Sequence, residues 1–194
     1  MTDVNRQVAD TNDDAQQVYP FADSDTKVTP PVTGFLKIAR GGDEATLCAS
    51  GFRFTNITIE GGLTITAATL ELYFHVLFDD IATYIAGDDV DDSQNFVDVP
   101  KVQTRPWTTL VHWEGTGFAA GWETSPDISA IIQEIIDRPG WASGNDMSIL
   151  CLAGLGADCI ALVRDYGTYP ATAAKLNITY EPPSAGGRSW GMIF

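Results

Sequence analysis

Between Ile65 and Phe78 the chain alternates at a period of two. Ala68, Leu70, Leu72, Phe74, Val76 and Phe78 fall on one side, and Thr69, Glu71, Tyr73 and His75 on the other. A helix would scatter these residues around its circumference, whereas a strand sends successive side chains to opposite faces. A long strand with one apolar face belongs in an antiparallel sheet that buries that face. Its other face is left to water or to a ligand.

The rest of the body follows the same grammar. Phe35 to Ala39 reads as a short strand. Gly51 to Ile59 alternates with one slip, and Gly61-Gly62 marks a turn. Ile81 to Ala86, Thr109 to Trp113, Met147 to Ala153, Cys159 to Arg164 and Ala174 to Tyr180 are further strands. In the last of these, Leu176, Ile178 and Tyr180 point inward. One helix interrupts them, over about residues 126–137. Ser125 is its expected N-cap, and Pro126 suits the first turn. Ile128, Ile131, Ile132, Ile135 and Ile136 form its apolar stripe, and Pro139-Gly140 ends it. Trp141 is expected to pack back onto the body. No alternation of strand and helix points to a parallel sheet. The expected fold is therefore all-β: an antiparallel two-sheet jelly-roll sandwich with one surface helix and extended terminal segments.

Three regions are expected along the chain. Residues 1–33 are a polar arm, either flexible or contributing a first strand before a long loop. Residues 34–181 form the sandwich, and residues 182–194 form a tail. The arm carries sparse apolar residues, Val4, Val8, Val18, Tyr19 and Phe21, and needs a surface to lie on if it is ordered. The tail ends in Trp190, Met192, Ile193 and Phe194 on a glycine-containing leash. Four such groups are poorly solvated unless they dock. These nine residues are the candidate partner-binding set.

The search for chemistry finds no catalytic constellation, and no enzymatic role is expected. There is no G-x-S-x-G elbow, and His75 and His112 are the only histidines. There is no H-E-x-x-H or paired C-x-x-C pattern. The chain has 26 acidic residues, so pairs of the kind used in glycoside hydrolysis carry no specific signal. Asp88, Asp89, Asp91 and Asp92, with Asn95 and with Asp79 and Asp80 upstream, form the densest set of oxygen donors and are a candidate calcium site. Their spacing is not that of an EF-hand. No other cofactor is expected. Trp107, Trp113 and Trp122 lie in or beside loops and are candidates for stacking on sugar rings.

The formal net charge of −15 argues against nucleic acid and against anionic membranes as partners. Residues 2–14 lack the basic and apolar regions of a signal peptide. No apolar run is long enough for a transmembrane helix. The three cysteines, Cys48, Cys151 and Cys159, show no metal-type spacing and read as buried thiols. A Cys151–Cys159 bridge is left open.

Several segments carry a resemblance. Asp13-Asp14-Ala15, Gly51-Phe52-Arg53-Phe54 and the run GGLTITAATLELY from Gly61 to Tyr73 resemble the front half of DNRLRE-type carbohydrate-binding sandwich domains. The run TSPDISAIIQEIIDRPGW from Thr124 to Trp141, then Ser143-Gly144-Asn145 and Leu176 to Tyr180, is similar to jelly-roll proteins common in phage genomes and on bacterial surfaces. Together these segments span about residues 1–181. The resemblance implies a jelly roll with the N-terminal segment as part of the pattern. It also implies one of two non-enzymatic roles. The first is a phage virion component made in the host cytoplasm, a capsid decoration or cement protein. It would bind the major capsid protein or another virion protein through its termini and self-associate, with a trimer favoured. The alternative is a carbohydrate-binding adhesin module of a fibre or surface protein.

Overall fold

The structure, a computed structural model, describes residues 1–20, 28–29, 34–40, 46–77, 81–99, 101–153 and 161–182. Among these residues there are twelve strands: β1 (Thr2–Gln7), β2 (Asp14–Pro20), β3 (Val28–Thr29), β4 (Phe35–Arg40), β5 (Thr46–Phe54), β6 (Ile65–Leu77), β7 (Ile81–Gly87), β8 (Val111–Gly115), β9 (Gly121–Thr124), β10 (Met147–Ala153), β11 (Ala161–Arg164) and β12 (Lys175–Tyr180). One helix, α1 (Ser129–Ile136), lies between β9 and β10.

The strands form two antiparallel sheets. Sheet A runs β1-β12-β6-β11-β4, with β9 also paired to β6. Sheet B runs β3-β2-β5-β10-β7-β8. β4 belongs to both. Its first residues, Phe35 to Ile38, pair with β11 in sheet A, and Ala39 and Arg40 pair with β5 in sheet B. The chain thus turns the corner of the sandwich within one strand. Side chains from both sheets close one core: Leu36 and Ile38 from β4, Phe52 and Phe54 from β5, Leu70, Leu72 and Phe74 from β6, Ile85 from β7, and Ile149 from β10. α1 packs its four isoleucines, with Ile128 just before it, into the same core, against β6 and β7.

The alternation in β6 holds up to Phe74 and then breaks. Val163 pairs with Phe74, but Leu162 pairs with Val76, so His75 is an extra residue opposite β11. This bulge turns Val76 off the core face, and it is only half-buried. The sequence pattern could not show this slip, because it depends on the partner strand. Phe78 lies outside the described residues. Ile57 and Ile59 are fully buried but follow the end of β5 in irregular backbone. They fill the core from a loop, which explains the shift of register in their sequence pattern.

The N-terminal region is part of the sandwich. β1 pairs with β12 along its whole length and β2 with β5, and β1 places Val4 in the core. Val8, just beyond β1, is buried there as well. The short strand β9 had no sequence expectation, because its four residues carry no apolar alternation. The expected strand at 109–113 begins two residues later.

α1 starts later than expected. Ser125 is not its cap; the Ser125 hydroxyl accepts a hydrogen bond from the amide of Leu70 in β6 at 2.9 Å. Asp127 does the local work. Its Oδ1 accepts from the Ala68 amide (3.0 Å) and the Ser129 amide (3.1 Å), and its Oδ2 accepts from the Ser129 hydroxyl (2.8 Å). Burial pushes this carboxyl up, but the three hydrogen bonds outweigh that and hold it below its ordinary value. Trp141 packs back onto the body as expected, and its Nε1 donates to the carbonyl of Ile59 at 3.0 Å.

A second apolar layer lies on the other side of sheet B. Ala15, Ala49, Ala86, Leu150 and Leu152 on the strands are covered by Phe96 and Val102 from the segment between β7 and β8. Gly51 makes this possible. A Cβ there would lie 2.4 Å from the Phe96 ring. Gly51→Ala is expected to lower stability by about 1–3 kcal/mol, through overpacking against the ring. Urea denaturation reads this directly. An unchanged midpoint would mean that Phe96 does not sit on Gly51.

Candidate functional site

The acidic segment after β7 is organised by arginines. Arg105 is buried beneath it. Its Nη1 donates to Asp88 Oδ2 (2.5 Å) and to Ser93 Oγ (3.0 Å). Its Nη2 donates to the carbonyls of Gln94, Asn95 and Val99, and its Nε donates to that of Lys101. The guanidinium also lies 4.4 Å from the centre of the Phe96 ring. Arg138, at the end of α1, pairs with Asp89 and, at 2.7 Å, with Asp91. Asp92 accepts from the amide of Asp146, and Asp146 pairs with Arg53, which also holds Asp13 at 2.5 Å.

The four aspartates singled out for calcium therefore face different partners. Asp88 points to Arg105, Asp89 and Asp91 to Arg138, and Asp92 to a backbone amide. Among the described residues no group of three or more acidic, histidine or cysteine side chains is arranged to hold a metal ion. Asp79 and Asp80 lie outside the described residues. A cavity of about 160 Å³ opens beside Asp88 and Arg105, walled by Val90, Val99 and Pro106 among others.

The three tryptophans are separated. Trp113 is 1% exposed, edge-on to Phe74 and tilted against Phe118, so it is a core residue and not a sugar platform. Trp107 is 43% exposed and lies on the segment covering sheet B, its Nε1 bonded to the carbonyl of Gln103. Trp122 is exposed on the outer face of sheet A.

That outer face carries the most distinctive side-chain arrangement of the molecule. Trp122 on β9 stands opposite Tyr73 on β6, edge to face, with ring centres 5.5 Å apart. The Lys175 ammonium of β12 lies 3.8 Å over the Trp122 ring. Arg164 of β11 lies between two tyrosines, 4.2 Å from the ring centre of Tyr73 and 4.6 Å from that of Tyr169. Phe35 of β4 continues the row. It stacks on His75 at 4.2 Å and approaches Tyr169 at 5.4 Å. Beside these rings runs a polar strip set by register: Gln7, Lys175 and Glu71 across β1, β12 and β6, then Asn5, Asn177 and Thr69. Two of the chain's 11 basic residues thus stack on rings of one sheet face in a molecule of net charge −15. The sequence had marked Trp122, and had placed Tyr73 and His75 on the outward face of β6. Arg164, Lys175, Phe35 and Tyr169 escaped notice, because they come from four separate segments that only the sheet brings together.

The histidines do not build a catalytic pair. His75 is the bulge residue on this face, and His112 is on β8 in sheet B, against Tyr84 and 3.9 Å from Glu114. Cys151 is fully buried, and burial pushes its thiol up to about 12. Cys48 is buried too, and Cys159 lies outside the described residues.

The candidate partner-binding residues divide in the same way. Val4 and Val8 are core and present no surface to a partner. The backbone of Val18 and Tyr19 lies in β2, and their side chains are outside the described set. So are Phe21, Trp190, Met192, Ile193 and Phe194, and with Cys159 the question of a Cys151 bridge. No helix of the described residues is long and apolar enough to cross a membrane. Compared with family models and with curated proteins, the chain matches none.

The two arginine sites differ in burial, and this fixes a measurable contrast. Arg105→Ala leaves Asp88 buried without its partner and is expected to cost about 3–5 kcal/mol. Arg138→Ala removes a pair whose groups are 29–44% exposed and is expected to cost about 0–1 kcal/mol. Equal losses in urea denaturation would contradict this ordering.

Proposed function

We propose that the chain is a non-enzymatic binding module that takes a carbohydrate across the outer face of sheet A, with a preference for sugar chains carrying carboxylates. The observation that carries this reading is the row of Trp122, Tyr73, Arg164, Tyr169 and Phe35, with Lys175 at one end. Aromatic rings offer apolar faces to the C–H side of a sugar ring. Asparagine and threonine side chains beside them offer hydrogen bonds to hydroxyls. Arg164 and Lys175 supply the only positive charge within the row and favour an acidic ligand over a neutral one.

The expected role as a virion decoration protein is a proposal about location and partner, and it is compatible with this one. It loses Val4 and Val8 from its attachment surface, so attachment would fall to the tail. On a particle, the outer face of sheet A would be the part turned to the medium.

A polysaccharide panel read by affinity electrophoresis tests the binding reading. Retardation is expected on an acidic polysaccharide. It should fall at least about tenfold in affinity with Trp122→Ala, as for the removal of a central aromatic anchor. Lys175→Ala should weaken acidic ligands more than neutral ones. Trp107→Ala, on the opposite side of the sandwich, should change nothing. Failure to bind across acidic and neutral panels would reject the reading, as would equal loss from Trp107→Ala.

A further inference from the structure

Two buried aspartates outside both the acidic segment and the aromatic face have no counter-charge among the described residues. Asp14 opens β2 and Asp165 follows the last residue of β11, and they are 1% and 0% exposed. Asp14 Oδ2 accepts from the Tyr166 amide at 2.6 Å, and Asp165 Oδ1 accepts from the Thr168 amide at 2.6 Å. The Tyr166 amide belongs to the peptide bond after Asp165, so the Asp14 carboxylate lies at the Asp165–Tyr166 backbone, and the Asp165 charge is among those acting on it. The two remaining oxygens, Asp14 Oδ1 and Asp165 Oδ2, are buried and have no hydrogen-bond partner. Among the described residues no basic side chain pairs with either; the nearby Arg53 is taken by Asp13 and Asp146.

A carboxylate buried without a counter-charge is stable in its charged form only if a positive charge joins it. Burial, opposed by the Tyr166 hydrogen bond, and then the charges of Asp165, Asp13 and Asp10 push the Asp14 carboxyl up to about 7. Such a site is costly as it stands, since each buried unpaired acceptor costs about 1–3 kcal/mol and a charged one more.

We propose that Asp14 and Asp165 bind a hard divalent cation of calcium size through Asp14 Oδ1 and Asp165 Oδ2. An all-oxygen donor pair suits calcium, which tolerates variable geometry and completes its shell with further oxygen donors. The ion joins the start of β2 to the turn after β11, Asp14 and Asp165 being 151 residues apart in sequence. It is separate from the aspartates after β7, and it does not depend on the carbohydrate reading.

The test uses the full chain, stripped with EGTA and then given CaCl2 or MgCl2. Calcium at about a hundredfold over its Kd is expected to raise Tm by roughly 5–10 °C. The Asp14→Asn, Asp165→Asn double variant should lose that shift while melting, without calcium, at or above the stripped wild type, because its like charges are gone. An Asp89→Asn, Asp91→Asn variant should keep the shift. If the double variant does not fold, calorimetric titration of Asp165→Asn with CaCl2 replaces it: lost heat supports the site and unchanged heat overturns it. The proposal also falls if wild type shows neither heat nor a Tm shift with calcium, or if the shift survives in the double variant. A Tm that ignores calcium but rises as pH is lowered from 8 to 5 would assign the pair to a shared proton, and would overturn it too.

Discussion

The two faces of β6 carry most of this molecule. Inward, Ala68, Leu70, Leu72 and Phe74 floor the core that both sheets and α1 close. Outward, Tyr73 and His75 anchor the aromatic row that continues onto β9, β11 and β4. Because side chains alternate along a strand, neither face can be altered by sliding β6 without exchanging the two. The same pairing that buries the core therefore holds the outer row in place. Three strands, β12, β9 and β11, pin that register by hydrogen bonding to β6.

The second constraint is electrostatic. A chain of net charge −15 must distribute its negative groups, and this one spends its arginines on them. Arg53 joins Asp13 to Asp146, Arg138 holds Asp89 and Asp91, and Arg105 holds Asp88. Arg105 also satisfies four backbone carbonyls, so the long segment between β7 and β8 can lie on sheet B with its polar groups paired. Arg164 and Lys175 are different. They lie on aromatic rings instead of carboxylates, half-buried on the outer face of sheet A.

Much of the fold was legible because it is local. Period-two alternation located β6 and β12, and the isoleucine stripe located α1. What was not legible depends on partners remote in sequence. The bulge at His75 exists only relative to β11. Val4 and Val8 are too sparse an apolar pattern to announce a strand, and they are buried because β12 offers β1 an edge. Ser125 looked like a cap by its position before Pro126, yet β6 claims its hydroxyl. Among the site residues, Trp113 and Trp122 look alike in sequence, each beside a turn. Phe74 and Phe118 enclose the first, and β9 sets the second out on the sheet. The aspartates after β7 read as a ligand cluster because their arginine partners lie up to 49 residues away.

The central claim is that ligand binding belongs to the outer face of sheet A. Amide and side-chain NMR spectra of the labelled protein, titrated with an oligosaccharide of uronic acids, address it most directly. The account predicts perturbation of the Trp122 indole, the Arg164 guanidinium and the amides of β6, β9 and β12, with the segment between β7 and β8 unmoved. Perturbation centred on Trp107 and the cavity beside Arg105, with the Trp122 indole unshifted, would contradict it.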